Sequence, residues 1–194
     1  MDFSDVQYLA SYGTPQQLPP SMQPEIVFAG RSNVGKSSLM NAVFGRKKLV
    51  KASATPGKTT TINVFGTKTA QFIDLPGYGY ARVSESERER WRTLIEAYLV
   101  DDRSIVLTLV LLDIRRDPSD LDRSMVTSLI DRELPFALIL TKADKISRQQ
   151  QQQRIRTICS SFSHMQDVPV IVSSAAKGTG IDDVRALIGA SLRH

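Results

Sequence analysis

The sequence predicts an α/β fold: a mostly parallel six-stranded sheet with one antiparallel edge strand and helices on both faces. Two observations carry this. Short apolar, β-branched runs alternate along the chain with three-and-four-spaced helical patterns, and a glycine-rich loop stands where the first run hands over to the first helix. Strands are expected at 25–29, 60–65, 70–73, 105–112, 136–140 and 168–172, and helices at 36–44, 86–100, 119–132, 148–162 and 181–192.

Residues 1–24 hold most of the irregular sequence. Gly13-Thr14-Pro15 and Leu18-Pro19-Pro20 break any long element, so the segment reads as an extension packing on one domain that spans 25–194. The apolar run 25–29 leads into the glycine-rich loop and the first helix, and a long connection, 45–60, follows. Only 66–69 join the second and third strands, too short for a crossover helix, so that pair should be an antiparallel hairpin. In the second helix Trp91, Leu94, Ile95, Tyr98 and Leu99 share a face while Arg88, Arg90 and Glu96 fall elsewhere, which marks a core-facing stripe. The fourth helix opens on the polar run 149–153, a solvated start. In such a sheet ligands sit at the carboxyl ends of the strands, and the unusual loops fall there.

Composition narrows the function classes. With 194 residues, 41% hydrophobic and 23% charged, the chain suits one domain with a core and a ligand site of its own. A net charge of +5 biases encounters toward polyanions such as RNA. The single Cys159 excludes an intramolecular disulfide and a cysteine metal cluster; beside Ile155 and Ile158 it reads as a small buried filler. His164 and His194 stand at no ligand spacing and receive no role. The longest apolar run, 105–112, is far short of a bilayer span, and the start lacks the regions of a secretion signal, so a cytoplasmic monomer is expected.

Gly30-Arg31-Ser32-Asn33-Val34-Gly35-Lys36-Ser37 has the G-x-x-x-x-G-K-[ST] spacing of a phosphate cradle. Its glycines let backbone N–H groups and the positive end of the next helix face an anion, Lys36 supplies a point charge for the β and γ phosphates, and Ser37 offers a hydroxyl to Mg²⁺. Asp74-Leu75-Pro76-Gly77 follows the third strand, where a carboxylate can hold Mg²⁺ through water and the Gly77 N–H can reach a γ-phosphate. Thr141-Lys142-Ala143-Asp144 ends the fifth strand. There a carboxylate can accept from guanine N1–H and the 2-amino group, which adenine does not offer, while the Lys142 stem lies against the purine. Ser173-Ser174-Ala175 would give backbone N–H to the base oxygen. Gly57, Lys58, Thr59, Thr60 and Thr61 fall at the end of the long connection; Thr59 is the hydroxyl proposed to ligate Mg²⁺ when a γ-phosphate is present, with Thr60 and Thr61 as rivals and Thr61 also placed to start the second strand.

With these loops in order, the chain resembles the EngB (YihA/YsxC-like) bacterial GTP-binding proteins of the translation-factor-related GTPases. The resemblance rests on 30–38, Pro56-Gly57-Lys58-Thr59, Asp74-Leu75-Pro76-Gly77-Tyr78-Gly79-Tyr80-Ala81, and Asp113-Ile114-Arg115 followed by Pro118. It implies a Ras-like P-loop GTPase domain, a G domain, binding GTP and GDP and hydrolysing GTP, with Mg²⁺ on Ser37 and Thr59. It also implies roles in assembly of the large ribosomal subunit, through a precursor or its RNA, and in cell division and septation. The alternative is a division-associated interaction module, set by GTP, that does not bind RNA.

The chemistry expected of that resemblance has a gap. Where many GTPases carry Gln after D-x-x-G this chain has Tyr78, a poor base near neutral pH, so slow turnover is expected until a partner or an extra cation completes the site. Lys36, Thr59, Gly77 and Asn33 are the candidate catalytic residues. In related GTPases an Asn at the position of Asn33 looks like a K⁺ ligand; the alternative is a side chain that closes the loop on its own backbone. Arg82, Arg88, Arg90 and Arg92, interleaved with glutamates, read either as a solvated face or, with Tyr78, Tyr80, Arg46, Lys47, Lys48 and Lys51, as a nucleotide-dependent RNA surface.

Overall fold

The computed structural model describes residues 2–51, 61–79, 85–100 and 102–193; the side chains of Glu85, Glu87, Arg88 and Trp91 lie outside that description. Seven strands are present among the described residues: β1 (Gln7–Tyr12), β2 (Glu25–Gly30), β3 (Ile62–Gly66), β4 (Gln71–Asp74), β5 (Ile105–Asp113), β6 (Phe136–Thr141) and β7 (Val170–Val172). They form one sheet in the order β1-β3-β4-β2-β5-β6-β7. The helices are α1 (Lys36–Val43), α2 (Glu85–Val100), α3 (Asp120–Asp131), α4 (Arg148–Cys159) and α5 (Ile181–Ser191).

The predicted hairpin is present: β3 pairs antiparallel with β4, while β2, β4, β5, β6 and β7 run parallel. The edge differs from expectation. β1 pairs antiparallel with β3 and covers it, so the sheet gains a seventh strand and its one reversed strand is second from the edge. β1 carries a register shift between Tyr8 and Ala10, a bulge of the kind that protects exposed edges.

β2 shows how the sheet divides the core. Ile26 and Phe28 pack with Leu39, Phe44, Phe72 and Val184 on the face covered by α1 and α5; Val27 and Ala29 pack with Leu94, Tyr98, Val126 and Ile158 on the face covered by α2, α3 and α4. Strict alternation along a strand buried on both sides produces this division. The expected α2 stripe is buried at Leu94, Ile95, Tyr98 and Leu99. Cys159 is half-buried, more exposed than a core filler, and what burial it has pushes its thiol pKa up.

Glu25, read from sequence only as the start of a strand, is fully buried. Arg103 clasps both its carboxylate oxygens, at 2.6 and 2.9 Å, and Tyr98 OH donates to it at 2.5 Å. The Arg103 guanidinium also lies over the Tyr98 ring, 4.7 Å from its centre. Burial opposes the Arg103 charge, but the Glu25 carboxylate outweighs it and holds the guanidinium protonated. The Glu25 cluster ties the end of α2 to the start of β2.

Candidate functional site

The glycine-rich loop lies between β2 and α1, as the motif requires. Gly35 is the N-cap of α1 with φ +107°, a left-handed conformation that a side chain would strain, and it turns the chain so that the first helical N–H groups open outward. Not every loop N–H is free for an anion: Ser32 N donates to Tyr78 O at 2.8 Å and Val34 N to Arg31 O at 3.2 Å. Gly77 packs against the same turn, where a Cβ would stand 3.0 Å from both Cα and N of Ser32. The D-x-x-G segment and the start of the phosphate loop are thus zipped together.

On one side of the loop, Lys36, Ser37, Thr61, Asn63, Asp74 and Gly77 line a cavity of about 590 Å³. Lys36 Nζ is ion-paired with Asp74 Oδ1, and both side chains are largely removed from water, 12% and 7% exposed. Asp74 Oδ2 accepts from Asn63 Nδ2 at 3.2 Å. Pro76 lines the cavity, but the Leu75 side chain is core, only 1% exposed, so this residue can serve a ligand through its backbone alone. The Ser37 hydroxyl and the Asp74 carboxylate are hard oxygen donors, and no cluster of three or more His, Cys, Asp or Glu among the described residues could hold a metal by itself. That donor set fits Mg²⁺, which keeps several waters and leans on phosphate oxygens. Gly57, Lys58, Thr59 and Thr60 lie outside the described residues, as do Tyr80 and Arg82. Thr61 precedes β3, and its hydroxyl is 3.4 Å from Asn63 Oδ1.

On the other side, Gly35, Thr141, Lys142, Asp144, Ser173 and Ala175 line a second cavity of about 470 Å³. The buried Thr141 hydroxyl reaches Val34 O at 2.7 Å and Leu112 O at 3.1 Å, locking β6 to the phosphate loop. Lys142, left-handed with φ 61°, extends over the loop: its Nζ donates to Asn33 O at 2.6 Å and stands 3.1 Å from Asp113 Oδ2. Burial would raise the Asp113 pKa, but Arg115 and then Lys142 outweigh it and hold the carboxyl far below its usual range. Asp144 Oδ1 accepts from Ser174 Oγ at 2.6 Å, and that bond, with a smaller contribution from Lys145, lowers its pKa. Ala143 is buried, its N–H given to Ser173 O.

One expectation at this end needs correction. Ser173 N donates to Leu140 O at 2.8 Å and Ser174 N to Thr179 O at 3.0 Å, so of the three N–H groups proposed for a base oxygen only that of Ala175 is uncommitted among the described residues. Ser174 instead meets Asp144 through its hydroxyl, which holds that carboxylate in place.

Tyr78 is placed differently from the surface role suggested for it. It is 2% exposed, and its hydroxyl donates to Asp122 Oδ1 at 2.8 Å. Asp122 is also the N3 residue of the α3 capping box, its Oδ2 accepting from Ser119 N and Oγ, each at 2.7 Å. Tyr78 therefore anchors the D-x-x-G segment to α3 and cannot stack on an RNA base. Asn33, by contrast, is exposed with φ 61°; its side chain makes no hydrogen bond among the described residues, and its carbonyl takes Lys142. It lines a third cavity, of about 450 Å³, with Arg31, Asp113, Arg116, Asp122 and Lys142. Arg46, Lys47, Lys48, Lys51, Arg90 and Arg92 are exposed, Arg92 pairing with Glu89 at 2.9 Å.

Asn63 and Asp122 were missed from sequence. Each acts through a partner distant in the chain, and only the hairpin register and the α3 cap bring those partners together.

Comparison with known proteins agrees with this geometry. Residues 25–142 match the family model described as 50S ribosome-binding GTPase. The chain is 42% identical over 185 residues to a probable GTP-binding protein EngB of Caldanaerobacter subterraneus subsp. tengcongensis, covering 95% of each. It is 39% identical to the protein of the same name from Thermotoga maritima, covering 100% of both. Among solved structures, the crystal structure of a probable GTP-binding protein EngB superposes with a TM-score of 0.73 at 26% identity, covering 87% of this chain and 98% of that one.

Proposed function

The chain belongs to the EngB family of GTP-binding proteins and is a GTP-hydrolysing enzyme; from that premise we propose that it is a slow GTP switch acting in assembly of the large ribosomal subunit, and through it in cell division and septation. The name of the matching family model, a 50S ribosome-binding GTPase, supports the ribosomal part, as does the positive charge of 46–51 beside the nucleotide cavities. No helix among the described residues is long and apolar enough to cross a membrane.

One observation carries the nucleotide reading: a single loop separates the cavity of Lys36 and Asp74 from that of Asp144, and Lys142 bridges the loop's back. A triphosphate on the first side and a purine on the second would span one molecule. Lys36 leaves Asp74 for the β and γ phosphates, and the N–H groups at the start of α1 face the same oxygens. Ser37, Asp74 through water, and Thr59 would hold Mg²⁺, which when bound offsets charge on the β and γ phosphates. Asp144 accepts from guanine N1–H and the 2-amino group, Ala175 N–H serves the base oxygen, and the Lys142 stem covers the ring. The water that attacks the γ-phosphorus opens its bond to the β–γ bridging oxygen, giving GDP and phosphate. Tyr78 faces away from that water, which supports slow turnover; Asn33 is the residue we assign to a K⁺ that would supply the missing charge.

Competition of fluorescent GDP with GTP and ATP, followed by sedimentation with large ribosomal particles, tests the proposal. GTP should compete at least a thousandfold better than ATP, on the order expected where a site built to accept hydrogen bonds meets a base lacking the donors. A non-hydrolysable GTP analogue should increase co-sedimentation over GDP. Binding of a division protein without ribosomal particles would instead establish the interaction module.

A further inference from the structure

Register places Ser11, Asn63 and Asp74 in one row. Ser11 of β1 stands directly opposite Asn63 of β3, and Asn63 directly opposite Asp74 of β4. Opposed residues of antiparallel strands present their side chains on the same face, so the three stand side by side from the sheet edge to the phosphate cavity.

The hydrogen bonds along this row have a fixed direction. The Asp74 carboxylate only accepts, so the Asn63 atom 3.2 Å from Oδ2 is the amide nitrogen. Asn63 Oδ1 is left to accept, from Ser11 Oγ at 2.5 Å and Thr61 Oγ1 at 3.4 Å. Ser11 uses its one hydroxyl proton there, so Tyr8 OH, 2.8 Å from Ser11 Oγ, donates to it. Protons thus point from Tyr8 to Ser11 to Asn63 to Asp74, and the amide cannot flip without setting its oxygen against the Asp74 carboxylate.

We propose that Asn63 is a positioning residue for the Asp74 carboxylate, oriented in turn by Ser11 and Tyr8 of the N-terminal strand. The proposal rests on the reading that Asp74 faces Mg²⁺ through water. Asp74 has two side-chain partners among the described residues, Lys36 on Oδ1 and Asn63 on Oδ2. An arriving triphosphate competes for Lys36, a cation, but not for an amide already held from behind by Ser11. Once Lys36 turns to phosphate, Oδ1 is released toward the metal's water shell while Asn63 keeps Oδ2 and so fixes the plane of the carboxylate. Mg²⁺ demands near-ideal octahedral geometry, which makes that plane matter. β1 lies outside the 25–142 stretch matched by the family model, so the row gives the N-terminal strand a task at the site.

The test is the rate of fluorescent GDP release as a function of Mg²⁺, in wild type, Asn63→Leu and Ser11→Ala. Loss of an outer-shell partner typically weakens metal binding by about 10- to 100-fold. Asn63→Leu should therefore raise the Mg²⁺ concentration that half-maximally slows release by about tenfold, with release in chelator staying within about twofold of wild type. Ser11→Ala, at an exposed edge position where misfolding is not a concern, should raise the midpoint about two- to threefold, the scale of one neutral hydrogen bond. An unchanged midpoint in either variant overturns the proposal. So does an equal acceleration of release with and without Mg²⁺, which would reduce Asn63 to strand packing. If wild-type release ignores Mg²⁺, the metal reading itself fails, an outcome distinct from both.

Discussion

The two cavities that flank the phosphate loop are prepared to different degrees. At the base end the groups are held by partners a ligand need not displace: Thr141 binds two carbonyls, Lys142 crosses to Asn33 O, and Ser174 orients Asp144, whose other oxygen carries only the exposed Lys145 at 3.2 Å. A carboxylate has about four acceptor positions, so Asp144 can take guanine without giving up Ser174. At the phosphate end Lys36 and Asp74 satisfy each other, and that pair must part before either can serve a ligand. The base end is preorganised, which lowers the ordering cost of binding. The phosphate end is self-paired, so its charges stay satisfied without nucleotide and its geometry changes when nucleotide arrives.

Asp144→Asn should break the base end most severely. Its amide can donate to a xanthine 2-oxo group but no longer accepts both guanine protons, so preference should swing from guanine toward xanthine nucleotide by roughly a thousandfold to ten-thousandfold in relative affinity. Competition of GDP and XDP against fluorescent GDP reads this directly, and retained guanine preference would mean the pocket is not organised around Asp144.

The self-paired end makes the opposite kind of prediction, about the protein without ligand. Lys36→Met leaves Asp74 with Asn63 as its one remaining side-chain partner among the described residues. Removing one member of a buried pair costs about 3 to 5 kcal/mol; with both groups slightly exposed, about 2 to 3 kcal/mol is expected in nucleotide-free denaturant melts. A neutral result would show that the pair forms without being needed, and the contrast between the two ends would lose its energetic half.

What could be read from the chain follows the same division. The loops that line the two cavities stood out because their residue types fall at the fixed spacing that phosphate and guanine recognition would require, whatever surrounds them. The other six strands, β2 to β7, were legible from apolar runs, and each boundary moved by only a few residues. β1 was not: none of its six residues is buried, and Gln7–Tyr12 carries no apolar alternation ahead of the breakers that begin at Gly13. Nor were the buried supports. Glu25 meets Arg103 from 78 positions away, and Tyr78 meets Asp122 from 44. Such pairs are set by packing, and no local pattern encodes them. The role of Asn63 waited on hairpin register, which a sequence leaves open by a residue.

A smaller effect would sharpen the phosphate end. If Asn33 holds a K⁺, hydrolysis in K⁺ should exceed that in Na⁺ by about tenfold or more, well below the roughly thousandfold or greater gain that an arginine finger gives phosphoryl transfer. In Asn33→Ala the two salts should give one rate. Equal wild-type rates would remove Asn33 from the chemistry and leave the charge to be supplied by a partner.

Tyr78 gives the mildest expected effect and separates anchoring from catalysis. Its hydroxyl bonds a carboxylate that keeps both Ser119 contacts when the phenol is lost. Tyr78→Phe should therefore cost about 1 to 2 kcal/mol of stability and leave the hydrolysis rate within about twofold, because the side chain faces α3 and not the γ-phosphate. Alkaline titration gives an independent reading. Burial first, then the charge of Asp122 and its hydrogen bond, raise the Tyr78 pKa well above its ordinary value, and burial and Glu25 do the same for Tyr98. The folded chain thus keeps both phenols protonated where the unfolded chain ionises them. The stability they contribute is complete below about pH 10 and falls as pH rises beyond it. Tyr78→Phe removes one of the two groups, so its stability should decline less steeply above pH 10 than that of wild type. An unchanged slope would mean that Tyr78 titrates freely in the native state, and that the D-x-x-G segment is not anchored to α3.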